Sequence, residues 1–202
     1  DIFLCDSIFS KYLPFNKGKK EDVTICEIGL GDGKLLKKIA DIFNYKPFGI
    51  ELASAPIADA QKKGITVIQG DAFDVNLLEK HKEQFDVVCS YGFIEHIVPP
   101  VKAVQIHLQL LKKGGIFFIQ IPRFKGFNWL KAKLFHPELL PLHDLTIMEE
   151  EVLEKLCLQP GVEKLICKNY GTFKLRLPIA KKNIRWYLLE VIRLAEYVLN
   201  PA

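Results

Sequence analysis

Residues 23–36 constrain the fold of this chain more than any other stretch. An apolar and β-branched run ends at Ile28, a glycine-rich turn follows, and a helical pattern begins directly after it. This order predicts a strand, a tight turn and a helix. Glycine permits a positive φ and a close approach of a ligand, while the first N–H groups of the helix point into the same turn. The stretch therefore predicts a nucleotide-type binding loop at the carboxyl end of a strand.

The spacing of the residues distinguishes three kinds of loop. A dinucleotide-binding turn needs glycine where Lys34 stands, and a phosphate loop needs Ser or Thr where Leu35 stands. What remains is an acidic residue followed by alternate glycines: Glu27, Gly29, Gly31 and Gly33. This pattern resembles motif I of the class I S-adenosylmethionine-dependent methyltransferases. The resemblance implies that Glu27 lies near the methionine ammonium group of the cofactor and that the three glycines line the cofactor-binding site.

Four more apolar runs alternate with helical patterns up to Pro122, as expected of parallel strands joined by right-handed helical crossovers. We predict an α/β fold with a Rossmann-like, doubly wound and mostly parallel sheet, in which residues 112–115 turn into the fifth strand. Residues 123–145 show no steady period. Two late apolar segments, 162–166 and 172–177, predict the antiparallel hairpin that would complete a seven-stranded sheet in this family.

At 202 residues the chain is long enough for one sizeable α/β domain. We predict a single methyltransferase domain over 1–202. Its parts are a leading helix and linker (1–21), a cofactor-binding core (22–122), an acceptor or lid insertion (123–147) and a C-terminal part with a helix, the late strands and a final helix (148–202).

Acidic residues follow the second and third predicted strands. Glu51 lies about twenty residues beyond the glycine turn, where a carboxylate accepts hydrogen bonds from both ribose hydroxyls. Asp71 resembles the third motif of the family, in which the carboxylate accepts from the adenine amino group and the next residue, here Ala72, flanks the ring. The alternatives are a solvated strand-end glutamate and a turn-forming aspartate.

The segment Ser90–Ile97 resembles the fourth motif in the small-molecule branch of the family, which carries a Glu-His pair. The resemblance places Ser90 at the cofactor and His96 at the acceptor. Methyltransferases that act on base nitrogens resemble one another in carrying [DN]-P-P-[YF] here, which this chain lacks, so we predict no nucleic-acid partner. His96 is a candidate general base, with the alternative that it only shapes the pocket.

His143 lies in the insertion after the fifth strand and is a second candidate catalytic residue, although a surface histidine is the simpler interpretation. No triad of histidines and carboxylates has metal-site spacing along the chain, so we predict no metal. Basic and large apolar residues alternate over 123–135, as in a lid over the acceptor, a plain loop or a weak peripheral membrane contact.

The composition is that of a soluble globular protein, with a net charge of +4 and five scattered cysteines. No signal peptide is visible, and we expect a cytoplasmic protein. The resemblance implies methyl transfer from S-adenosylmethionine to a small-molecule acceptor, most simply at oxygen, with S-adenosylhomocysteine as product. The alternatives are a catalytically silent binding module and a nicotinamide oxidoreductase, against which Lys34 argues.

Overall fold

The computed structural model describes residues 9–13 and 23–169. Contacts divide the chain into two units, 1–167 and 168–202, and everything below concerns the first. Its elements in chain order are α1 (Ser10–Tyr12), β1 (Thr24–Ile28), α2 (Lys34–Phe43), β2 (Lys46–Glu51), α3 (Ile57–Lys62), β3 (Thr66–Gln69), α4 (Val75–Lys80), β4 (Phe85–Tyr91), α5 (Val101–Leu110), β5 (Leu111–Gln120), α6 (Phe127–Phe135) and α7 (Glu150–Cys157). Short 3-10 helices span Ile94–His96, Pro137–Leu142 and Thr146–Met148.

The five strands form one parallel sheet in the order β3-β2-β1-β4-β5. The order reverses between β1 and β4, which creates a crevice outside the carboxyl ends of these two strands. The predicted α/β architecture with a doubly wound parallel sheet is therefore confirmed. Glu51 ends β2, and Asp71 follows the end of β3, so both lie at this edge of the sheet.

Each face of the sheet carries its own apolar core. On one face, Leu36, Ile39, Ala40 and Phe43 of α2 are buried and pack on Ile25 and its neighbours. The other face packs Cys26 and Ile28 against α4 and α5. Because both faces are covered, the strands are near-continuous apolar runs, and a charged residue among them needs a specific reason.

The seven-strand count and the hairpin are not confirmed. Residues 162–166, which the sequence predicts as the sixth strand, form irregular backbone. The predicted seventh strand, 172–177, and the final helix lie outside the described residues. Of the predicted leading helix, the described part contains the single turn α1, whose neighbour Phe9 packs on Phe118 of β5 with ring centroids 4.7 Å apart.

Residues 112–115 do not form the predicted turn but belong to β5 as a bulge. The register jumps from Phe85↔Leu111 to Val87↔Ile116, so the extra residues are looped out within the strand. Gly114 supplies the positive φ of 74° that the bulge requires. The sequence of residues 112–115 does not distinguish a turn from a bulge, because glycine and lysine are common in both.

The insertion after β5 is more regular than predicted. It contains α6, which begins after Gly126 (φ 55°) and ends before Pro137. Ala132 is buried on this helix, whereas Trp129, Leu130 and Leu134 are exposed. The sequence pattern lacked a helical period because Trp129, Leu130 and Leu134 do not face a core. Within the described ranges, no helix is long and apolar enough to cross a membrane.

Candidate cofactor and acceptor site

The glycine turn between β1 and α2 has a backbone that only glycine adopts readily. Gly29, Gly31 and Gly33 have φ values of 71°, 53° and 64°. The N–H groups of Gly29 and Leu30 both donate to the carbonyl oxygen of Ile50, at 3.0 and 3.2 Å, which ties the turn to the end of β2. A Cβ at Gly33 would lie 2.4 Å from Cδ1 of Ile65, so the side chain of Ile65 packs directly on the backbone of Gly33 at the start of α2.

Glu51 ends β2 and faces this turn. Its Oε2 accepts from the N–H of Gly31 at 2.9 Å, and its Oε1 accepts from the N–H of Ala53 at 2.8 Å. A carboxylate has about four lone-pair positions, so each oxygen retains capacity for a further donor. The carboxylate is therefore fixed in orientation and able to accept two hydroxyl groups, as the sequence predicts for a ribose.

Glu27 is the exception among the core residues of β1. It is 5% exposed, and its Oε2 has no hydrogen-bond partner within the described part of the chain. Burial, and then the negative charges of Asp32 and Glu51, raise the pKa of Glu27 to about 8. A buried carboxylate without a partner is costly unless a cation or donor pairs with it. Its position beside the glycine turn thus fits a cationic group of a ligand.

The ends of β3 and β4 complete the crevice with an acidic turn and two aromatic rings. Asp71 is exposed and accepts from the N–H of Phe73 at 2.9 Å, which leaves its second oxygen for a ligand, while Ala72 is buried beneath. Phe73 stacks on Phe93 with ring centroids 6.3 Å apart. A Cβ at Gly29 would lie 2.9 Å from the Phe93 ring, so this ring covers the glycine turn. Phe93 was not among the predicted site residues.

Ser90 does not present its side chain to the crevice. It is fully buried, and its hydroxyl lies 3.0 Å from Nε2 of His107 on α5. Since Nδ1 of His107 lies 2.7 Å from the carbonyl oxygen of Ala103 and donates to it, Nε2 accepts the Ser90 proton. Burial lowers the pKa of His107 to about 4, so the pair is neutral. The side chain of Ser90 therefore joins the sheet to α5 rather than lining the site that the motif suggested.

Replacing Ser90 by alanine is expected to lower the free energy of unfolding by about 1–3 kcal/mol, because Nε2 of the buried His107 loses its donor. The affinity for S-adenosylhomocysteine is expected to remain within about twofold of the wild type, a difference below 0.5 kcal/mol. Urea unfolding and calorimetric titration at pH 7 measure the two quantities. Ser54→Ala, at an exposed serine, is the control. A loss of affinity without a loss of stability would return Ser90 to the cofactor site.

The two predicted catalytic histidines meet in a second cluster beside the crevice. The ring centroids of His96 and His143 are 4.5 Å apart. Nδ1 of His96 lies 2.8 Å from the carbonyl oxygen of Leu142, and Nδ1 of His143 lies 2.6 Å from that of Leu139. Both Nδ1 atoms therefore donate to the backbone, and both Nε2 atoms are left as acceptors in the neutral rings.

Glu95 stands beneath these rings. It is 1% exposed, and neither carboxylate oxygen has a hydrogen-bond partner among the residues that the structure describes. Its Oε1 is 4.0 Å from Nε2 of His96, and burial raises its pKa. The backbone also holds the cluster together, because the N–H of Asp144 donates to the Glu95 carbonyl oxygen at 2.7 Å. No histidine–carboxylate triad has metal-site spacing along the chain, but the fold brings Glu95, His96 and His143 together, with one ligand atom of each within 4.8 Å of the others.

Sequence reasoning missed Glu95 as a site residue and the meeting of His96 with His143. The Glu-His pair in the fourth motif was the available signal for Glu95. Nothing along the chain brings His143 to His96, because that contact depends on how the 3-10 helix Pro137–Leu142 folds back. The sequence interpretation of His143 as a surface histidine fails for the same reason.

The fold and the crevice together define a class I S-adenosylmethionine-dependent methyltransferase. S-adenosylmethionine carries ribose hydroxyl, ammonium and adenine amino groups that need acceptors, and Glu27, Glu51 and Asp71 keep acceptor oxygens free for a ligand at this crevice. A dinucleotide-binding turn has a glycine at the position of Lys34, where the helix packs closely on the strand. The side chain of Lys34 is instead 77% exposed, so that close packing is absent at this position.

The family described as "Methyltransferase domain" matches residues 3–151, and the chain belongs to it. Among curated proteins, the ubiquinone biosynthesis O-methyltransferase of Pseudomonas fluorescens (strain SBW25) is 32% identical over 111 residues. That match covers 52% of this chain and 46% of the relative. The chain thus spans about half the length of the curated relatives it matches.

Two solved structures share the fold over most of the chain. A SAM-dependent methyltransferase from Archaeoglobus fulgidus covers 96% of this chain and 85% of its own, with a TM-score of 0.58 and 18% identity. A SAM-dependent methyltransferase from Thermotoga maritima covers 75% of this chain and 78% of its own, with a TM-score of 0.54 and 21% identity. At these identities the likeness concerns the fold alone.

Proposed function

We propose that this protein transfers a methyl group from S-adenosylmethionine to an oxygen atom of a small-molecule acceptor. The observation that carries the proposal is the pairing of two sites at one edge of the sheet. Carboxylates around the glycine turn suit a cationic nucleoside, and two imidazoles that expose Nε2 as acceptors suit a hydroxyl group. The curated relative named above is an O-methyltransferase, which supports the choice of oxygen.

The residues of the crevice have separate parts in holding the cofactor. Glu51 accepts from the ribose hydroxyls, since its two oxygens are fixed by the N–H groups of Gly31 and Ala53. Glu27 pairs with the ammonium group of the methionine part through its unpartnered Oε2. Asp71 accepts from the adenine amino group, and Phe73 and Phe93 offer apolar faces to the ring.

The cofactor supplies an activated electrophile, since its sulfonium methyl group accepts an electron pair from the acceptor oxygen while the sulfur keeps the pair of the broken S–CH₃ bond. The protein therefore has two tasks, to align the acceptor and to exclude water. Phe93 covers the glycine turn and limits access of water from that side. In this proposal, residues 123–147 form the remaining wall of the site that binds the acceptor.

A hydroxyl acceptor must also lose its proton, and the histidine pair provides the place for it. The Nε2 atom of His96 or His143 receives the proton, because each ring already donates through Nδ1. Glu95 lies within 4.0 Å of His96 Nε2, where its negative charge stabilises the imidazolium that forms.

The test is transfer of radiolabelled methyl groups from S-adenosylmethionine to a panel of catechols, phenols, hydroxy acids and amines. We expect an O-methylated product and, in His96→Gln, a kcat at least about tenfold below that of the wild type. His81→Gln, which changes the histidine that follows α4, is the control and is expected to keep the wild-type kcat. Preference for an amine acceptor would contradict the choice of oxygen. Binding of S-adenosylhomocysteine without turnover on any acceptor would favour the silent binding module instead.

The exposed apolar residues of α6 favour a second candidate, a peripheral contact with anionic lipid that would give access to a quinone-type or lipid-type acceptor. Trp129, Leu130 and Leu134 are 38%, 44% and 56% exposed, and Nζ of Lys133 lies 4.7 Å from the Trp129 ring centroid. Sedimentation with phosphatidylglycerol vesicles is expected to drop at least about threefold in the Trp129→Ser, Leu130→Ser, Leu134→Ser triple variant. Equal sedimentation of this variant and the wild type excludes the contact.

A further inference from the structure

We infer that Glu95, His96 and His143 bind a divalent first-row transition metal ion of the Zn²⁺ class. One ligand atom from each of these side chains lies within 4.8 Å of the other two. Two imidazole nitrogens and one carboxylate oxygen form a common ligand set of catalytic zinc sites, which leave one position open. The set has too few oxygens for a site selective for Mg²⁺ or Ca²⁺.

Glu95 points to a ligand independently of the histidines. It is 1% exposed, yet neither of its oxygens has a hydrogen-bond partner among the described residues. Carboxylates this deeply buried are almost always paired, hydrogen-bonded or bound to a metal. His96 and His143 are the nearby titratable groups that act on Glu95, and both offer acceptor nitrogens, so one shared cation satisfies all three side chains.

The tautomers of both histidines are already those of metal ligands. In metal sites the coordinating ring usually donates its other N–H to a carbonyl or carboxylate, which fixes the ring orientation. His96 does so to Leu142, and His143 does so to Leu139. The 4.0 Å between His96 Nε2 and Glu95 Oε1 exceeds the tetrahedral edge of about 3.3 Å that bonds of about 2.0 Å imply. Binding of the ion would draw the two atoms together, and the 43% exposure of the His96 side chain leaves it room to move.

The open fourth position suggests what the ion would do. With the ion bound, His96 and His143 would act as its ligands instead of as proton acceptors. A hydroxyl oxygen of the acceptor in the open position would then lose its proton to solvent more easily, because a dication stabilises the oxyanion. This use of the ion rests on the proposed O-methyl transfer, whereas the binding of the ion does not. The site would then select acceptors with a hydroxyl group, or two adjacent ones, that bind a metal through oxygen.

The experiment is a Co²⁺ titration of the chelator-treated full chain, followed through the visible absorption of four-coordinate cobalt, with Zn²⁺ competition to obtain the Zn²⁺ affinity. We expect one ion per chain, and affinity reduced at least about 100-fold in Glu95→Gln and in His143→Gln, since each removes a ligand. His81→Gln is the matched control and is expected to bind as the wild type does. Circular dichroism of every variant verifies folding, and His143→Gln alters only a half-buried residue of the insertion.

Either of two results overturns the inference: no visible band in the wild type, or equal affinities in the wild type and both ligand variants. Titration of the same samples with S-adenosylhomocysteine separates this failure from that of the proposed function. Metal binding without binding of S-adenosylhomocysteine counts against the proposed function alone, and the reverse counts against the metal site alone.

Discussion

Glu27→Gln is expected to stabilise the free protein above pH 8 and, at the same time, to weaken its binding of S-adenosylhomocysteine. The pKa of Glu27 is raised from 4.5 to about 8 by burial first and by Asp32 and Glu51 next. Below pH 4.5 the carboxyl is protonated in both the folded and the unfolded chain and costs nothing. Between pH 4.5 and 8 only the unfolded chain releases the proton, so the stability of the wild type falls across this window.

Above pH 8 the full penalty is present, about 5 kcal/mol relative to the neutral glutamine. Binding responds in the opposite direction, because the wild-type Glu27 releases its proton and pairs with the ammonium group of the ligand, which glutamine cannot do. We therefore expect an affinity about 10- to 100-fold lower in the variant. Urea unfolding at pH 4, 7 and 9 and calorimetry at pH 7 measure both effects. Glu163→Gln, at an exposed glutamate, is the control. Parallel pH profiles of the wild type and Glu27→Gln would contradict this account.

Glu51→Gln is expected to weaken S-adenosylhomocysteine binding at least about 100-fold, because two charge-assisted hydrogen bonds to the ribose become weaker or are lost. The change also loosens the glycine turn, since the carboxylate accepts from the N–H groups of Gly31 and Ala53. The matched control is Asp59→Asn, which changes an exposed carboxylate on the neighbouring helix α3. We expect this control to bind within about twofold of the wild type.

A ligand cycle separates the ribose contact from the effect on the turn. The 2′-deoxy analogue of S-adenosylhomocysteine lacks one of the two hydroxyl groups and is expected to bind the wild type about tenfold less tightly. In Glu51→Gln this difference is expected to shrink, since the partner of the missing hydroxyl is already weakened. An undiminished difference in the variant would place the ribose away from Glu51.

Local features of the sequence predicted the fold and the edge of the sheet at which the site lies. The glycine turn, the apolar strand runs and the strand-end positions of Glu51 and Asp71 all depend on neighbours along the chain, and the parallel order of the strands brings these ends together. The burial of Glu27 was not predicted and depends on the strand order, in which β1 is the central strand.

What failed depends on contacts between distant residues. Ser90 looked like a site residue because of its motif, but strand alternation turns it toward His107 on α5, a partner that no local pattern indicates. His143 meets His96 only because residues 137–142 fold back over the end of β4. The bulge at 112–115 and the helix α6 were not predicted, because glycine-rich stretches and exposed apolar stretches are compatible with several backbone conformations.

Calorimetric titration of the full chain with S-adenosylhomocysteine, run in parallel with NADH, tests the central claim most directly. The account predicts saturable binding of one S-adenosylhomocysteine per chain and no binding of NADH, because the carboxylates around the glycine turn suit a cationic nucleoside and repel a pyrophosphate. Binding of NADH alone, or of neither ligand, would contradict the assignment of this crevice to S-adenosylmethionine.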